Sequence, residues 1–190
     1  MDSDYLPHNK FSKLIDSNLS KLGEVLSWIW LALMVVIFFN VVLRYGFNQG
    51  RIELEELQWH LYSVGFILGM SYAYQTDSHI RVDVLHENFS PQLKAWIELY
   101  GIVLLLLPFI SLVLIYSVPF VIASFVVSEV SASPGGLPFR WLIKAVLPLG
   151  FALLLLTVLA RLIRVWHFLF LRDGYVQHPA SDHGDDHASE

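Results

Sequence analysis

Four apolar blocks, separated by polar stretches rich in turn residues and charge, set the rhythm of the chain. The first covers about residues 24–43, with Trp28 and Trp30 near its start, where indole rings favour a membrane interface. The second covers about residues 57–74 and follows Glu53, Glu55 and Glu56, whose charges suit a helix N-terminus. The third opens at Ser90-Pro91, an N-cap followed by proline at the first helical position, and continues through Pro108 to about residue 116. The fourth covers about residues 141–160 and closes on Arg161 and Arg164. A helix needs roughly 20 apolar residues to cross a bilayer. The pattern therefore predicts an all-α integral membrane protein with four transmembrane helices.

The stretches between the blocks refine this picture. Phe11, Leu14, Ile15, Leu19 and Leu22 recur at helical spacing beside Lys10, Lys13 and Lys21. That suits a short helix lying on the membrane surface, the alternative being a plain extension of the first span. Counted from Pro91, the third block would make a helix about 40 Å long, against a hydrocarbon core of about 30 Å. It has to tilt, kink at Pro108 or project into water. The apolar stretch 120–127 is too short to span, and either continues the third helix or forms a separate interfacial piece. Residues 131–138, Ser-Ala-Ser-Pro-Gly-Gly-Leu-Pro, read as a turn. The polar tail from Asp173 reads as disordered. Three regions follow: a cytoplasmic N-terminal segment 1–23, a four-span membrane domain 24–165 and a polar cytoplasmic tail 166–190.

Composition supports lipid over a soluble core. Of 190 residues, 55% are apolar and 15% charged, where a soluble domain carries about 25% charged. The absence of cysteine excludes disulfides, thiolate metal sites and cysteine nucleophiles. The net charge of -5 is matched by the tail alone, through Asp173, Asp182, Asp185, Asp186 and Glu190. The first block starts late and lacks a small-residue cleavage site, so it is expected to stay as an anchor. Lys10, Lys13, Lys21, Arg81, Lys94, Arg161, Arg164 and Arg172 fall on the side that holds both termini; Arg44, Arg51, Arg140 and Lys144 fall on the other. Positive residues mark the cytoplasm, which puts both termini there.

Candidate chemistry is sparse. Ionisable groups deep in a span are the usual mark of an ion or proton path, and no chain of them can be drawn here. Asn40 and His60 lie near the outer ends of the first and second spans, Lys144 can snorkel from the start of the fourth, and Glu98 lies early in the third. A b-type haem needs paired axial ligands on facing helices, for which His79 and His167 are the nearest candidates. Interfacial histidines more often serve as polar anchors. The tail cluster His178, Asp182, His183, Asp185, Asp186 and His187 has metal-compatible residue types but no fold to fix them. No catalytic residues, resident cofactor or metal site is expected, and nothing points to nucleic acid. The second span does present a packing face: Gly65, Gly69 and Ala73 share about a quarter of the helix circumference, and small residues let helices approach closely in lipid. With Glu55, Glu56 and Trp59 they form the candidate partner interface; the bland alternative is packing within the chain.

The order of these motifs resembles a known family. Asn40-Val41-Val42-Leu43-Arg44-Tyr45 closes the first span, and Glu55-Glu56-Leu57 opens one that contains Gly65 and Gly69. Then come His79-Ile80-Arg81-Val82-Asp83, Ser90-Pro91 and Ser133-Pro134-Gly135-Gly136-Leu137-Pro138. Over about residues 20–165 the chain is similar to the DctQ-like small transmembrane subunit of tripartite ATP-independent periplasmic (TRAP) transporters. The resemblance implies a bacterial inner-membrane complex. In it a periplasmic binding protein captures the substrate, often a carboxylate, and a large membrane subunit carries the substrate and coupling-ion sites. The small subunit would extend the static scaffold, and the polar tail implies that the large subunit is a separate polypeptide. The rival readings are a four-helix cytochrome b type anchor and an orphan structural membrane protein.

Overall fold

The computed structural model describes residues 10–76 and 89–171, with side chains from residue 21 onward. Every regular element among them is helical. Helix α1 spans Lys10–Gly46 and α2 spans Ile52–Gln75. Helix α3 runs Pro91–Val126, and α4 runs Arg140–Phe170. The N-terminal segment thus continues into the first span as one helix from Lys10. The side chains of the surface-helix stripe from Phe11 to Leu19 lie outside the described residues, as do His79, Arg81, Asp83 and the tail from Arg172.

Among the described residues, three helices are long and apolar enough to cross a membrane: residues 21–46 of α1, all of α3 and all of α4. Helix α2 has the length, at 24 residues, but Glu53, Glu55, Glu56, Gln58 and His60 in its first turns dilute its hydropathy. The apolar side chains face outward. Trp28, Phe38, Leu104, Leu105, Ile115 and Val126 are all exposed. A soluble protein could not leave such a belt in water.

Helix α3 starts as its sequence predicts, with the Ser90 hydroxyl accepting from the Leu93 amide at 3.3 Å and Pro91 in the first turn. The strain of Pro108 is taken up just upstream. Residues Gly101–Leu106 form a π-helical segment, and the Leu107 amide reaches the Ile102 carbonyl. Pro108 has no N–H and its ring would crowd the carbonyl four residues back, so a wider turn relieves both problems. Residues 120–126 continue this helix through Pro119. The fourth helix differs from its expected end. It does not close on Arg161 and Arg164 but runs on to Phe170, because no helix breaker follows and both arginines are buried.

Packing orders the helices as α1, α2, α4, α3. The α1–α2, α2–α4 and α3–α4 pairs carry the main interfaces. Tyr72 near the end of α2 meets Gly23 in the first half of α1, while Trp30 farther along α1 packs on Gly65, earlier in α2. These two helices are therefore antiparallel. Glu56 at the start of α2 bonds Leu137 just before α4, and Ile67 farther along lies against Gly150, so α2 and α4 run parallel. Phe109 meets Phe151 and Phe125 meets Trp141, which makes α3 antiparallel to α4. The core lies between α3 and α4, around Ile102, Ile110, Phe151, Leu154 and Val158.

Candidate functional site

The sequence-derived interface residues sit on α2 and divide into a polar head and an apolar face. At the head, Glu55 forms an ion pair with Arg44 from the last turn of α1. Glu56 points the other way, into the loop between α3 and α4. Its carboxylate accepts from the Ser131 hydroxyl and, at 2.7 Å, from the Leu137 amide. Gly135 occupies the left-handed region, at φ +80°, and allows the turn that brings Leu137 back. A Cβ on Gly136 would collide with Ser131 and the Glu56 carboxylate. The Ser131 hydroxyl and the Leu137 amide, two donors on one carboxylate, hold Glu56 below the usual carboxylate range.

The same loop is tied from its other side. The Arg140 amide donates to the Glu129 carbonyl at 3.1 Å. The Glu129 side chain pairs with Lys144, and Arg140 lies 3.9 Å away. The Lys144 ammonium beside it, with Arg140, lowers the Glu129 pKa. Lys144 also sits 4.1 Å from the Phe120 ring centroid, so it stays at the helix start instead of extending outward. Glu56 and the 131–138 turn, which are 75 to 81 residues apart in their bonded pairs, form one unit.

Further along α2 the small residues part company. Gly65 is buried, and a Cβ there would touch Trp30 at 3.3 Å. Gly69 has open space where a Cβ would go. At 100° per residue, Glu55, Trp59, Tyr62, Phe66, Gly69 and Ala73 share one face within about 80°. Trp59, Tyr62 and Phe66 are exposed along it, and Tyr62 stacks on Phe66 with ring centroids 6.0 Å apart. Ala73 is half-buried. Two closer helix approaches escaped the sequence pattern. Gly150 faces Ile67, whose carbonyl oxygen would lie 3.0 Å from an added Cβ, and Gly23 faces the Tyr72 ring. Each is a lone glycine without a repeating partner, so only the fold reveals it.

The opposite end of the bundle holds a buried charge pair. Arg161, 3% exposed, donates through Nε to Glu98 Oε1, joining α4 to α3. The signal was present in the sequence as one acid and one base near the ends of apolar blocks. Their pairing required the antiparallel α3–α4 contact. Trp96, Tyr100, Trp166 and Phe170 cluster at this end, with Trp166 and Phe170 centroids 4.3 Å apart. His60 Nδ1 bonds the Glu56 carbonyl of its own helix. Among the described residues no group of three histidines or acids could hold a metal ion. The proposed haem partner His79 and the tail cluster lie outside them.

A helical bundle with an outward apolar belt and, among the described residues, its charged side chains gathered toward the two ends can brace a neighbour in lipid. A family described as tripartite ATP-independent periplasmic transporters, DctQ component, matches residues 33–168. A protein of Haemophilus influenzae, provisionally named a TRAP transporter small permease protein, is 39% identical over 74 residues. That alignment covers 38% of this chain and 46% of the relative, so it spans less than half of the relative's length. No solved structure matches. The chain belongs to the DctQ family, the small membrane component of tripartite ATP-independent periplasmic transporters.

Proposed function

We propose that the chain is a four-span, non-catalytic scaffold in the bacterial inner membrane, with both termini in the cytoplasm. It would brace a separate large membrane subunit that imports an organic acid on an ion gradient, supplied by a periplasmic binding protein. The observation that carries this reading is the α2 face on which Trp59, Tyr62 and Phe66 are exposed, on a bundle whose charged side chains, among the described residues, gather toward its two ends. A transport path needs polar groups through the membrane interior. A brace needs an outward face that a partner helix can approach, as Gly69 allows. Helix α2 supports a fourth crossing by its direction. It is antiparallel to α1, and it returns the chain from the end where α1 stops to the end where α3 starts.

The test is reconstitution. Liposomes holding this chain with its large subunit, given the binding protein and a sodium gradient, are expected to accumulate the organic acid. Liposomes holding this chain alone are expected to accumulate none. Uptake by the chain alone would end the scaffold reading.

A further inference from the structure

Helices α3 and α4 are longer than the membrane core they cross. At 1.5 Å per residue, the 36 residues of α3 and the 31 of α4 measure about 54 Å and about 46 Å, against a hydrocarbon core of about 30 Å. Tilting absorbs only part of this. At about 40°, the upper end of the usual range, α3 still covers about 41 Å of the membrane normal. The excess falls at one end. Where α3 passes into α4, Glu56, Glu129, Arg140 and Lys144 gather and fix the loop at a membrane surface. At the other end Glu98 and Arg161 bond between the helices. Beyond that pair, roughly 10 Å of α3 and roughly 14 Å of α4 remain.

This overhang is apolar on its outer side. On α3, Leu93, Trp96, Ile97 and Tyr100 are exposed and recur at i, i+3, i+4 and i+7, one stripe facing away from the buried Ala95 and Leu99. On α4, Ile163, Trp166 and Phe170 are exposed along one face. Trp96 joins the two helices, edge-on to Phe170 with ring centroids 5.8 Å apart, and Phe170 lies 4.3 Å from Trp166. The result is one patch across both helices, most of it beyond the charged pair. Water is a poor cover for a patch of this kind.

We propose that the patch is seated in the headgroup layer of the phospholipid leaflet at that end, so that the α3–α4 pair leans into the membrane surface instead of standing clear of it. Three features favour lipid over a protein partner. Trp96, Tyr100 and Trp166 each join an apolar ring to a polar tip, the chemistry that settles at headgroup depth. Leu104 continues the α3 stripe directly into the exposed apolar belt. Lys94 flanks the stripe, where an ammonium can meet lipid phosphate. The lengths agree as well, since a bilayer with its headgroups is about 40–45 Å thick and the tilted α3 covers about 41 Å. The inference depends on α3 and α4 alone, not on whether α2 crosses or on what the chain braces.

The chain lacks cysteine, so a nitroxide label can be placed at Ile97→Cys or Ile163→Cys, both exposed positions. The full chain, alone and with its large subunit, is reconstituted in vesicles of phosphatidylethanolamine and phosphatidylglycerol. Relaxation of each label by oxygen, which concentrates in lipid, is compared with relaxation by a water-soluble nickel chelate. Gln49→Cys, in the α1–α2 loop, is the water reference, and Leu112→Cys, exposed near the middle of α3, is the hydrocarbon reference. At Ile97→Cys and Ile163→Cys the oxygen-to-nickel ratio is expected to exceed the water reference several-fold and to stay below the hydrocarbon reference, in both preparations. A ratio equal to the water reference would overturn the proposal by showing that the pair stands in water. A ratio equal to the hydrocarbon reference would overturn the headgroup depth. Loss of access to both reagents would overturn it too. In the chain alone, that loss would mean that the patch is covered by this chain or a second copy. In the complex only, it would mean that the large subunit covers it.

Discussion

Glu98 and Arg161 illustrate how a side chain can be visible in a sequence while its role is not. As an isolated acid near a span end, Glu98 reads as a group close to headgroup water. In the fold it is mostly buried and bonds Arg161, itself 3% exposed. Removing one member of a buried pair is costly because the other charge stays in place. Glu98→Gln is therefore expected to lower the stability of the purified subunit by up to about 3–5 kcal/mol, and Glu98→Leu/Arg161→Leu by less than the two single leucine changes combined. Thermal unfolding in detergent reads both, and simple additivity would show that the two groups do not act together. Glu56 makes a different prediction, in pH. Its folded pKa is depressed, so the stability it lends to the loop is complete above the ordinary carboxylate range. That contribution is lost as pH falls through the lowered folded value. The Leu137 amide, protected from hydrogen exchange at neutral pH, is expected to lose that protection relative to its intrinsic rate as pH falls, and Glu56→Gln is expected to flatten this response. An identical profile in both proteins would mean the carboxylate does not govern the loop.

At the scale of elements, apolar blocks translate directly into helices because lipid leaves the backbone no other way to satisfy its hydrogen bonds. That is why the ends of α2, the Ser90-Pro91 start of α3 and the 131–138 turn could be read within a few residues. The π segment and the extension of α4 to Phe170 could not be. The first depends on how Pro108 is accommodated, and the second on a charge partner that sequence spacing does not reveal. The candidate interface was legible as a pattern of small residues but not as a direction. Gly65 turns toward Trp30 in α1, and Gly69 turns outward. Substitution separates the two kinds of glycine. Gly150→Ala puts a methyl against Ile67 where α4 meets α2, and overpacking of this sort typically costs about 1–3 kcal/mol. Gly69→Leu fills open space, so the isolated subunit is expected to stay within about 0.5 kcal/mol of wild type. In the complex, the same leucine is expected to weaken retention of the large subunit. Loss of stability in the isolated Gly69→Leu protein would show that this face is already packed.

For the whole molecule, connectivity constrains what hydropathy alone does not. Among the described residues three helices pass on length and composition, and α2 does not. Yet α1 and α3 both finish at the end of the bundle where Arg44, Glu56 and the 127–139 loop gather. A chain that crosses upward in α1 and upward again in α3 has to come back between them, and α2 is the segment that lies antiparallel to both. Its acidic first turn fits this, since Glu55 and Glu56 are engaged by Arg44 and by the loop instead of lying in hydrocarbon. The chain has no cysteine, so single cysteines can report sidedness without background. Gln49→Cys and Ser133→Cys, at the loop end, are expected to react with an impermeant thiol reagent added to intact spheroplasts. Thr76→Cys, just past the other end of α2, is expected to react only after the membrane is opened. Lys and Arg are more numerous on the Thr76 side, which is why that side is expected to be cytoplasmic. Labelling of Thr76→Cys in intact spheroplasts together with Gln49→Cys would mean that α2 does not cross. The bundle would then hold three spans, and the face from Trp59 to Ala73 would lie along the membrane surface instead of within it.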